Sequence, residues 1–368
     1  MKRVVILIIA FMAVAALISI RVEAAEPDDY DFSQIDEVMS STDFDFKETV
    51  KLFFSGETDK SITGLGQALL DSLFSELAAQ KSLITRIVII GVAAAVFMNV
   101  ASAFLKGSIA QTGFYITFML LMGTLMSGYV IAAGLVTDAM NSLLEFMEAV
   151  VPIYTLSVGF AAGSSSAASF YSIITILIVI IQKLLCDFII PMIYIYMVFN
   201  FINNITEENV FTRICELLKT VIEWILKALL SCVIGMNIIQ SMINPVMDSL
   251  KTSALGKAAS MIPGVGGVLT SVSGLVLGSG TLIKNSIGMA SMIAVIVLCF
   301  IPVIKAVAMS IGYKFAGAML EPVSDKRISN AVNGIYESIV LLAKTLLYGV
   351  VFFLLTMAIV CYSTNRTV

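Results

Sequence analysis

Residue types that could do catalytic chemistry are scarce in this 368-residue chain. There is no histidine, which excludes imidazole acid–base catalysis and imidazole metal ligands. The sequence also lacks a phosphate-binding glycine loop, a nucleophile motif and clustered metal ligands. The cysteines are odd in number and form no Cys-x-x-Cys pair, so we interpret them as small apolar residues of helices; they are Cys186, Cys215, Cys232, Cys299 and Cys361. The sequence therefore predicts no enzymatic activity and no cofactor.

One apolar stretch, residues 258–283, carries an unusual density of helix-breaking residues. It contains Pro263 and six glycines, a composition that predicts an interrupted helix. Broken helices at membrane depth are tolerated where they are buried in protein or line a cavity, and they often mark transport sites. Close helix packing through small residues is the alternative interpretation. The candidates for a structural or pathway role in this stretch are Pro263, Gly264, Gly266 and Gly267.

A second group of candidates follows directly, namely Lys284, Asn285 and Gly288. An ionisable residue inside the bilayer would be a functional candidate by default. However, Lys284 and Lys305 lie 21 residues apart, which would also let both side chains extend to opposite membrane surfaces. The sequence alone leaves both interpretations open.

Residues 207–227 have the pattern of an amphipathic helix between two apolar runs. Glu223 can pair with Lys219 and with Lys227 at four-residue spacing, which supports a helix. One interpretation is an interfacial or partner-facing helix with Trp224 as its anchor and Glu216 and Glu223 as partner-facing charges. The other is an extramembrane extension of the next span.

The overall composition indicates a membrane protein. Hydrophobic residues make up 59% of the chain and charged residues 13%, against roughly 25% charged in soluble domains. So few charges cannot cover the core of an ordinary soluble enzyme, and so apolar a chain does not stay disordered. The net charge of −4 gives no reason to expect nucleic-acid binding. We therefore expect an all-α, polytopic helical fold in the lipid bilayer.

The distances between successive charges predict seven transmembrane spans, since each span needs about 20 mostly apolar residues. They lie at about 87–105, 113–136, 167–186, 188–203, 228–247, 285–304 and 339–362. Two apolar pieces do not fit that count and predict broken or re-entrant elements, near 150–166 and 258–283. If 258–283 crosses the membrane, there are eight spans, and the basic loop that follows then lies inside, as charge bias favours. Seven spans remain the prediction, with eight as the alternative.

The N-terminus predicts export. Residues 1–24 have the basic start, apolar run and small-residue end of a cleavable signal peptide, with an uncleaved signal anchor as the alternative. Residues 25–86 hold 13 acidic and five basic residues, and leucines at four-residue spacing over 65–77 predict a helix there. We expect this acidic segment to be extracytoplasmic and residues 87–368 to form the transmembrane domain.

Several short motifs in a fixed order carry a resemblance to a known family. They are Phe146-Met147…Pro152, Ile189-Ile190-Pro191, Asp248…Lys251, Ile262-Pro263-Gly264-Val265-Gly266, Ile283-Lys284-Asn285…Gly288, Pro302…Lys305 and Glu321-Pro322…Asp325. This pattern resembles the stage III sporulation protein AE family over almost the whole chain, most densely from about 186 to 362. The family typically has Pro-Val-Val-Gly where this chain has Pro-Gly-Val-Gly.

The resemblance implies a membrane subunit of the channel complex that joins mother cell and forespore during endospore formation. It implies a location in the mother-cell membrane around the forespore, with the mature N-terminus outside the cytoplasm. The implied partners are proteins of the same operon, including a secretion-type ATPase and ring-forming proteins, and a forespore-membrane protein. The alternative is a stand-alone secondary transporter for a small solute, although the sequence shows no internal repeat of the kind such transporters often have.

Overall fold

The structure is a computed structural model. It describes residues 31–40, 42, 44–55, 108–162, 165–205, 210–259, 266–322 and 326–364, with isolated helical residues between 85 and 100. The predicted signal peptide, the leucine-spaced helix at 65–77 and most of the predicted span 87–105 lie outside the described residues. These three features stay predictions.

The regular secondary structure of the described residues is entirely helical. The helices are α1 (Ser33–Met39), α2 (Phe46–Ser55), α3 (Ser108–Ala162), α4 (Ser165–Leu184), a π-helical turn (Leu185–Ile189), α5 (Ile190–Ile205), α6 (Thr212–Ala259), α7 (Gly266–Leu320) and α8 (Lys326–Thr364). Helices α3 and α7 each have 55 residues, which at 1.5 Å per residue makes each about 80 Å long.

Four helical segments are long and apolar enough to cross a membrane, judged by length and composition. They are Phe118–Val158, Ile173–Ile205, Gly280–Leu320 and Lys326–Cys361. The second of these passes from α4 through the π-helical turn into α5. The prediction of an all-helical fold with membrane-length apolar helices is therefore confirmed, whereas seven separate spans are not evident.

The two spans predicted on either side of Asp187 lie on one continuous helical segment. Asp187 interrupts the apolar run in the sequence, but its exposed side chain does not interrupt the helix. Instead, a π-helical turn at Leu185–Ile189 precedes Pro191. Proline lacks an N–H and crowds the preceding turn, so a locally widened helix can accommodate it without a chain reversal. The distance between charges was therefore the wrong criterion for a helix end here.

The two predicted broken elements have different outcomes. Residues 150–162 are the last turns of α3, which continues through Pro152, and α4 begins at Ser165. The prediction of a separate short element near 150–166 was thus wrong. Pro152 is exposed, and Val151 and Tyr154 close to it are buried in the bundle, as parts of the same helix. In the second region α6 ends at Ala259 and α7 begins at Gly266. The glycines after Gly266 therefore lie within α7.

The long helices form a bundle in which each runs opposite to the preceding one. Tyr313 of α7 donates a hydrogen bond to the Leu125 carbonyl of α3 at 3.1 Å, whereas Gly288 packs near Tyr154, so α3 and α7 are antiparallel. Thr137 of α3 bonds to Tyr194 of α5 at 2.7 Å. The topology is therefore up, down, up, down, up through α3, α4–α5, α6, α7 and α8.

Helices α1 and α2, together called the arm, pack against this bundle. A chain of aromatic rings joins them to it, with centroid separations of 5.5 Å for Phe32–Phe46, 6.2 Å for Phe46–Phe146 and 6.1 Å for Phe146–Phe353. All four rings are buried, as are Ile35 and Met39 of α1. The described part of the acidic segment is thus attached to the bundle by apolar side chains, while its charged side chains other than Asp36 are exposed.

Candidate functional site

Lys284 of α7 is wholly inside the bundle. Its side chain is 0% exposed, and its ammonium group donates a hydrogen bond to the Cys361 carbonyl of α8 at 3.3 Å. The sequence allowed Lys284 to extend to a membrane surface. The structure instead places it among α3, α7 and α8, which is the arrangement that makes an ionisable residue of an apolar helix a functional candidate.

The acceptor of this hydrogen bond explains how a lysine can be buried there. The described part of α8 extends to Thr364, so the Cys361 carbonyl lies in its last described turn. The C-terminus of a helix also carries a partial negative charge. Lys284 therefore binds a carbonyl near the C-terminal end of α8 from a neighbouring helix, and among the described residues no carboxylate neutralises it.

Gly288 lies one helical turn after Lys284 and lets the three helices approach closely. A Cβ atom at this position would overlap the Cys361 sulfur and would come within 3.2 Å of the Tyr154 ring. The Tyr154 hydroxyl is itself 3.3 Å from the Cys361 sulfur. Lys284, Gly288, Tyr154 and Cys361 thus form one compact group, which we call the Lys284 cluster.

The structure brings together only some of the residues singled out from the sequence. Asn285 is half-buried beside the Lys284 cluster, while Gly266 and Gly267 lie in the first turn of α7, 17 residues or more from Lys284 along the chain. Pro263 and Gly264 lie outside the described residues. A shared site for the glycine-rich stretch and Lys284 is therefore not evident.

A second polar group joins α6 to α5 and α8, and we call it the ion ladder. Lys219 pairs with Glu337 at 2.8 Å, and Glu337 also accepts a 2.8 Å hydrogen bond from Tyr196. Glu223 pairs with Lys344 at 2.7 Å. The hydrogen bond from Lys344 to Glu223, together with the positive charges nearby, holds the pKa of the Glu223 carboxyl below its ordinary value. Glu223 therefore stays ionised.

The three predicted partner-facing residues of α6 therefore differ in their surroundings. Glu216 is exposed and Trp224 is 70% exposed, so both are accessible on the outer side of α6. Glu223 instead faces the bundle. The buried side of α6 includes Cys215, Ile222, Leu226 and Val233.

Sequence reasoning missed Tyr154, Cys361, Tyr196 and Glu337. Their contacts join residues 207 and 141 positions apart for the Tyr154–Cys361 and Tyr196–Glu337 pairs, so no local spacing could reveal them. The one available signal was Glu337 itself, an acidic residue close to the apolar run of the last helix. Across the described residues, no group of three potential metal ligands occurs.

The long apolar helices, with a buried lysine and a ladder of ion pairs between them, define an all-helical membrane protein. A family model described as stage III sporulation protein AE matches residues 44–364. The chain belongs to this family, which implies a role in sporulation.

One relative is the stage III sporulation protein AE of Bacillus subtilis (strain 168). It is 22% identical over 322 residues, which cover 87% of this chain and 81% of the relative. No solved structure matches the chain.

Proposed function

We propose that this protein is a membrane subunit of the channel complex that joins mother cell and forespore. It acts by binding partner proteins and catalyses no reaction of its own. The observation that carries this proposal is the family match over residues 44–364, which includes every membrane-length helix of the described residues. The cross-helix contacts of α3, α7 and α8 support a scaffold, since they hold helix ends together.

The proposal includes a location and a domain arrangement. Residues 1–24 are a signal peptide removed near Ala24, residues 25–86 lie outside the cytoplasm, and residues 87–368 form the membrane domain. The protein lies in the mother-cell membrane that surrounds the forespore. The described residues supply four helical segments of membrane length, and cysteine accessibility at the helix ends would determine the number of crossings.

The proposed partners are the secretion-type ATPase, the ring-forming proteins of the same operon and a forespore-membrane protein. Support for a protein-binding surface comes from the outer side of α6. There, exposed Glu216 and Arg213 alternate with exposed Leu217 and Trp224. Such mixed surfaces set partner choice more than they supply affinity.

Charge reversal at an exposed position tests this proposal. Glu216→Lys, introduced in the sporulating host, is expected to reduce heat-resistant spores while the protein's amount in the membrane stays normal. Asp187→Lys, which reverses another exposed charge far from α6 in sequence, serves as the matched control. Normal spore numbers with Glu216→Lys would count against α6 as the binding surface, and normal spores after deletion of the gene would contradict the role in the complex.

A secondary transporter is the second candidate function, and the buried Lys284 favours it. Charged residues inside membrane helices commonly mark substrate or ion pathways. This alternative expects that the purified protein alone moves a solute into liposomes, and that bulky substitutions at Gly264, Gly266 or Gly267 abolish this movement. Spore formation would then be insensitive to Glu216→Lys.

A further inference from the structure

The core of the bundle is a triangle of three helices, and different elements cover two of its sides. Helices α3, α7 and α8 all pack against one another. On one side, α1 packs against α3 and α2 packs against α7, so the arm covers the groove between α3 and α7. On another side, α4 packs against α3 and α8 and covers the groove between them. The arm and α4 therefore form separate parts of the bundle surface.

The arm and α4 lie at the same height along the bundle. The ring of Phe46 contacts Phe146 of α3, and Phe146 contacts Phe353 of α8, which gives the height of the arm. On α4, Gln182 lies against Gly349 of α8. Because α4 and α8 run in opposite directions, the helical turn of α4 that precedes Gln182 lies at the height of the three aromatic rings.

The outer side of the arm is charged. Five charged side chains between residues 33 and 55 are exposed, namely Glu37, Asp45, Lys47, Glu48 and Lys51. Helices α1 and α2 have seven and ten residues, so they are only about 10 and 15 Å long, and these charges stay near the height of the aromatic rings. Charged side chains are costly in hydrocarbon. The outer side of the arm is therefore unsuited to contact with lipid chains.

Helix α3 has a polar stripe at the height of the arm. Asp138, Asn141, Glu145 and Glu148 are spaced by three or four residues, so they share one face of α3, and all four are exposed. We call this face the acidic stripe. Glu145 and Glu148 lie on either side of Phe146 in the sequence, the residue that contacts the arm. The acidic stripe and the arm thus add charge to the bundle surface at one height.

The outer side of α4 is apolar at this height. Ile173, Ile176 and Ile180 are 61%, 51% and 58% exposed, and their spacing of three and four residues places them on one face of the helix. Residues 165–182 contain no charged side chain. A row of exposed isoleucines is unfavourable in water and marks a surface that contacts lipid or protein. The outer side of α4 is therefore typical of a helix that faces lipid.

Two of these isoleucines are matched in height by residues of the acidic stripe. Counting from the contact of Gln182 with Gly349, Ile180 lies opposite residue 351 of α8, and Ile176 lies opposite residue 355. The contacts between α3 and α8 keep a constant offset along the two helices. This offset places the same two heights at residues 144 and 148 of α3, which is the position of the two glutamates of the acidic stripe.

We propose that the arm and the acidic stripe face a water-filled space at a height at which α4 faces the hydrocarbon of the bilayer. One side of the bundle then meets lipid, and another side borders water within the thickness of the membrane. This inference deepens the proposed function and rests on it, because a subunit of a channel complex would have such a water-facing side.

The test is the quenching of tryptophan fluorescence at matched heights on the two sides. The chain has one tryptophan, so Trp224→Phe gives a background without signal. In this background, Ile176→Trp and Ile180→Trp report the outer side of α4, and Glu145→Trp and Glu148→Trp report the acidic stripe. Each full-length protein is purified and inserted into phosphatidylcholine vesicles. The two quenchers are acrylamide in the water and bromine on the acyl chains, placed near the head group in one lipid and near the chain end in another.

The expected result is opposite behaviour on the two sides. The α4 tryptophans should lose fluorescence to brominated lipid and little to acrylamide, whereas those of the acidic stripe should lose fluorescence to acrylamide and little to either lipid. Glu48→Trp, in the same background, reports the arm and should behave like the acidic stripe. Two positions on each of the other two surfaces keep the comparison valid if one variant does not fold.

Equal behaviour of the two sides overturns the proposal. Quenching of both by brominated lipid would show that the acidic stripe faces lipid, and quenching of both by acrylamide would place this height outside the bilayer. Protection of either side from both quenchers would show that protein covers it, which also overturns the proposal. The measurement uses no partner protein, so a failure here leaves the proposed partner binding untouched, and absence of partner binding would leave the quenching results unchanged.

Discussion

Gly288 shows how a single missing side chain determines the approach of three helices. A Cβ atom there would overlap the Cys361 sulfur and crowd the Tyr154 ring, whereas Gly123 of α3 has open space around it. Tyr154 cannot move away easily, because it is fully buried. Cys361, in the last turns of α8, is in contact with the same tyrosine.

We therefore predict opposite effects for the same substitution at these two glycines. Gly288→Ala should destabilise the protein by about 1–3 kcal/mol through overpacking. Gly123→Ala should be neutral or stabilise it by up to about 1 kcal/mol, since alanine favours a helix. Thermal unfolding in detergent measures both, and equal melting temperatures for the two variants would contradict the packing at Gly288.

For Lys284 we predict that one substitution lowers spore formation without lowering the stability of the protein. Burying an ammonium group costs several kcal/mol, whereas a hydrogen bond to a charged group returns only about 1.5–3 kcal/mol. Lys284→Met, which keeps the length of the side chain, should therefore melt at least as high as the native protein, while heat-resistant spore numbers fall.

Two comparisons make the Lys284 result interpretable. Lys284→Arg retains the charge and should preserve more spore formation than Lys284→Met, and Lys183→Met at an exposed position should change neither property. A marked fall in melting temperature with Lys284→Met would show that the lysine is retained for stability alone.

At the scale of elements, the ion ladder joins α6 to α8 beside the buried apolar side of α6. Glu223 and Lys344 pair at 2.7 Å, and their side chains are 29% and 36% exposed. Pairs this accessible to solvent contribute about 0.2–1 kcal/mol. The role of these pairs is therefore better tested by a charge swap that restores the pairing than by a change in the free energy of unfolding.

A charge swap tests whether Glu223 acts within the chain. Glu223→Lys and Lys344→Glu should each reduce spore formation by repulsion across α6 and α8, and the double variant should recover much of it. Double-mutant recovery would identify an internal pair, whereas a double variant no better than Glu223→Lys alone would show that Glu223 contacts a partner instead.

The arm is an element whose internal packing depends on pH. Burial, and secondarily the negative charge of Asp45, raises the pKa of the Asp36 carboxyl above its ordinary value. The residues that act on Asp36, at positions 45–47, belong to the arm itself. A carboxyl with a raised pKa binds more protons when α1 is packed against α2 than when it is free. The packing of α1 against α2 should therefore strengthen as pH falls through the raised pKa, and weaken above it.

Asp36→Asn should remove this dependence and protect the arm at neutral pH. Hydrogen exchange of the α1 and α2 amides, corrected for the intrinsic effect of pH, measures the packing of α1 against α2, with Glu37→Gln at an exposed position as the control. Arm protection that rises with pH in the native protein would contradict the assignment to Asp36.

How far these elements could be predicted from sequence depends on the range of their interactions. Hydrophobicity and the scarcity of charge predicted apolar helices of membrane length, because that property is local. The distance between charges failed at Asp187, since an exposed carboxylate costs a helix little and Pro191 needs only a widened turn. The Lys284 cluster could be predicted only in part, because Lys284 is recognisable alone, whereas Tyr154 and Cys361 meet it through tertiary packing.

At the scale of the whole molecule, the described residues form five continuous helical segments that alternate in direction. The contacts described between them are an apolar core, the Lys284 hydrogen bond from α7 to α8, and the ion ladder at α6. The arm adds a fourth contact through Phe46. Such a molecule has exposed surfaces that partner proteins can bind, on helices held in fixed positions relative to one another. A subunit of a larger complex requires both.

The most direct test of this account is purification of the tagged protein from detergent-solubilised membranes of sporulating cells, followed by mass spectrometry of the proteins bound to it. We expect the secretion-type ATPase and the ring-forming proteins of the same operon to co-purify in constant ratio, and to be lost when residues 25–80 are deleted from a chain that still reaches the membrane. Recovery of the protein without any of these partners, from cells that contain them, would contradict the account.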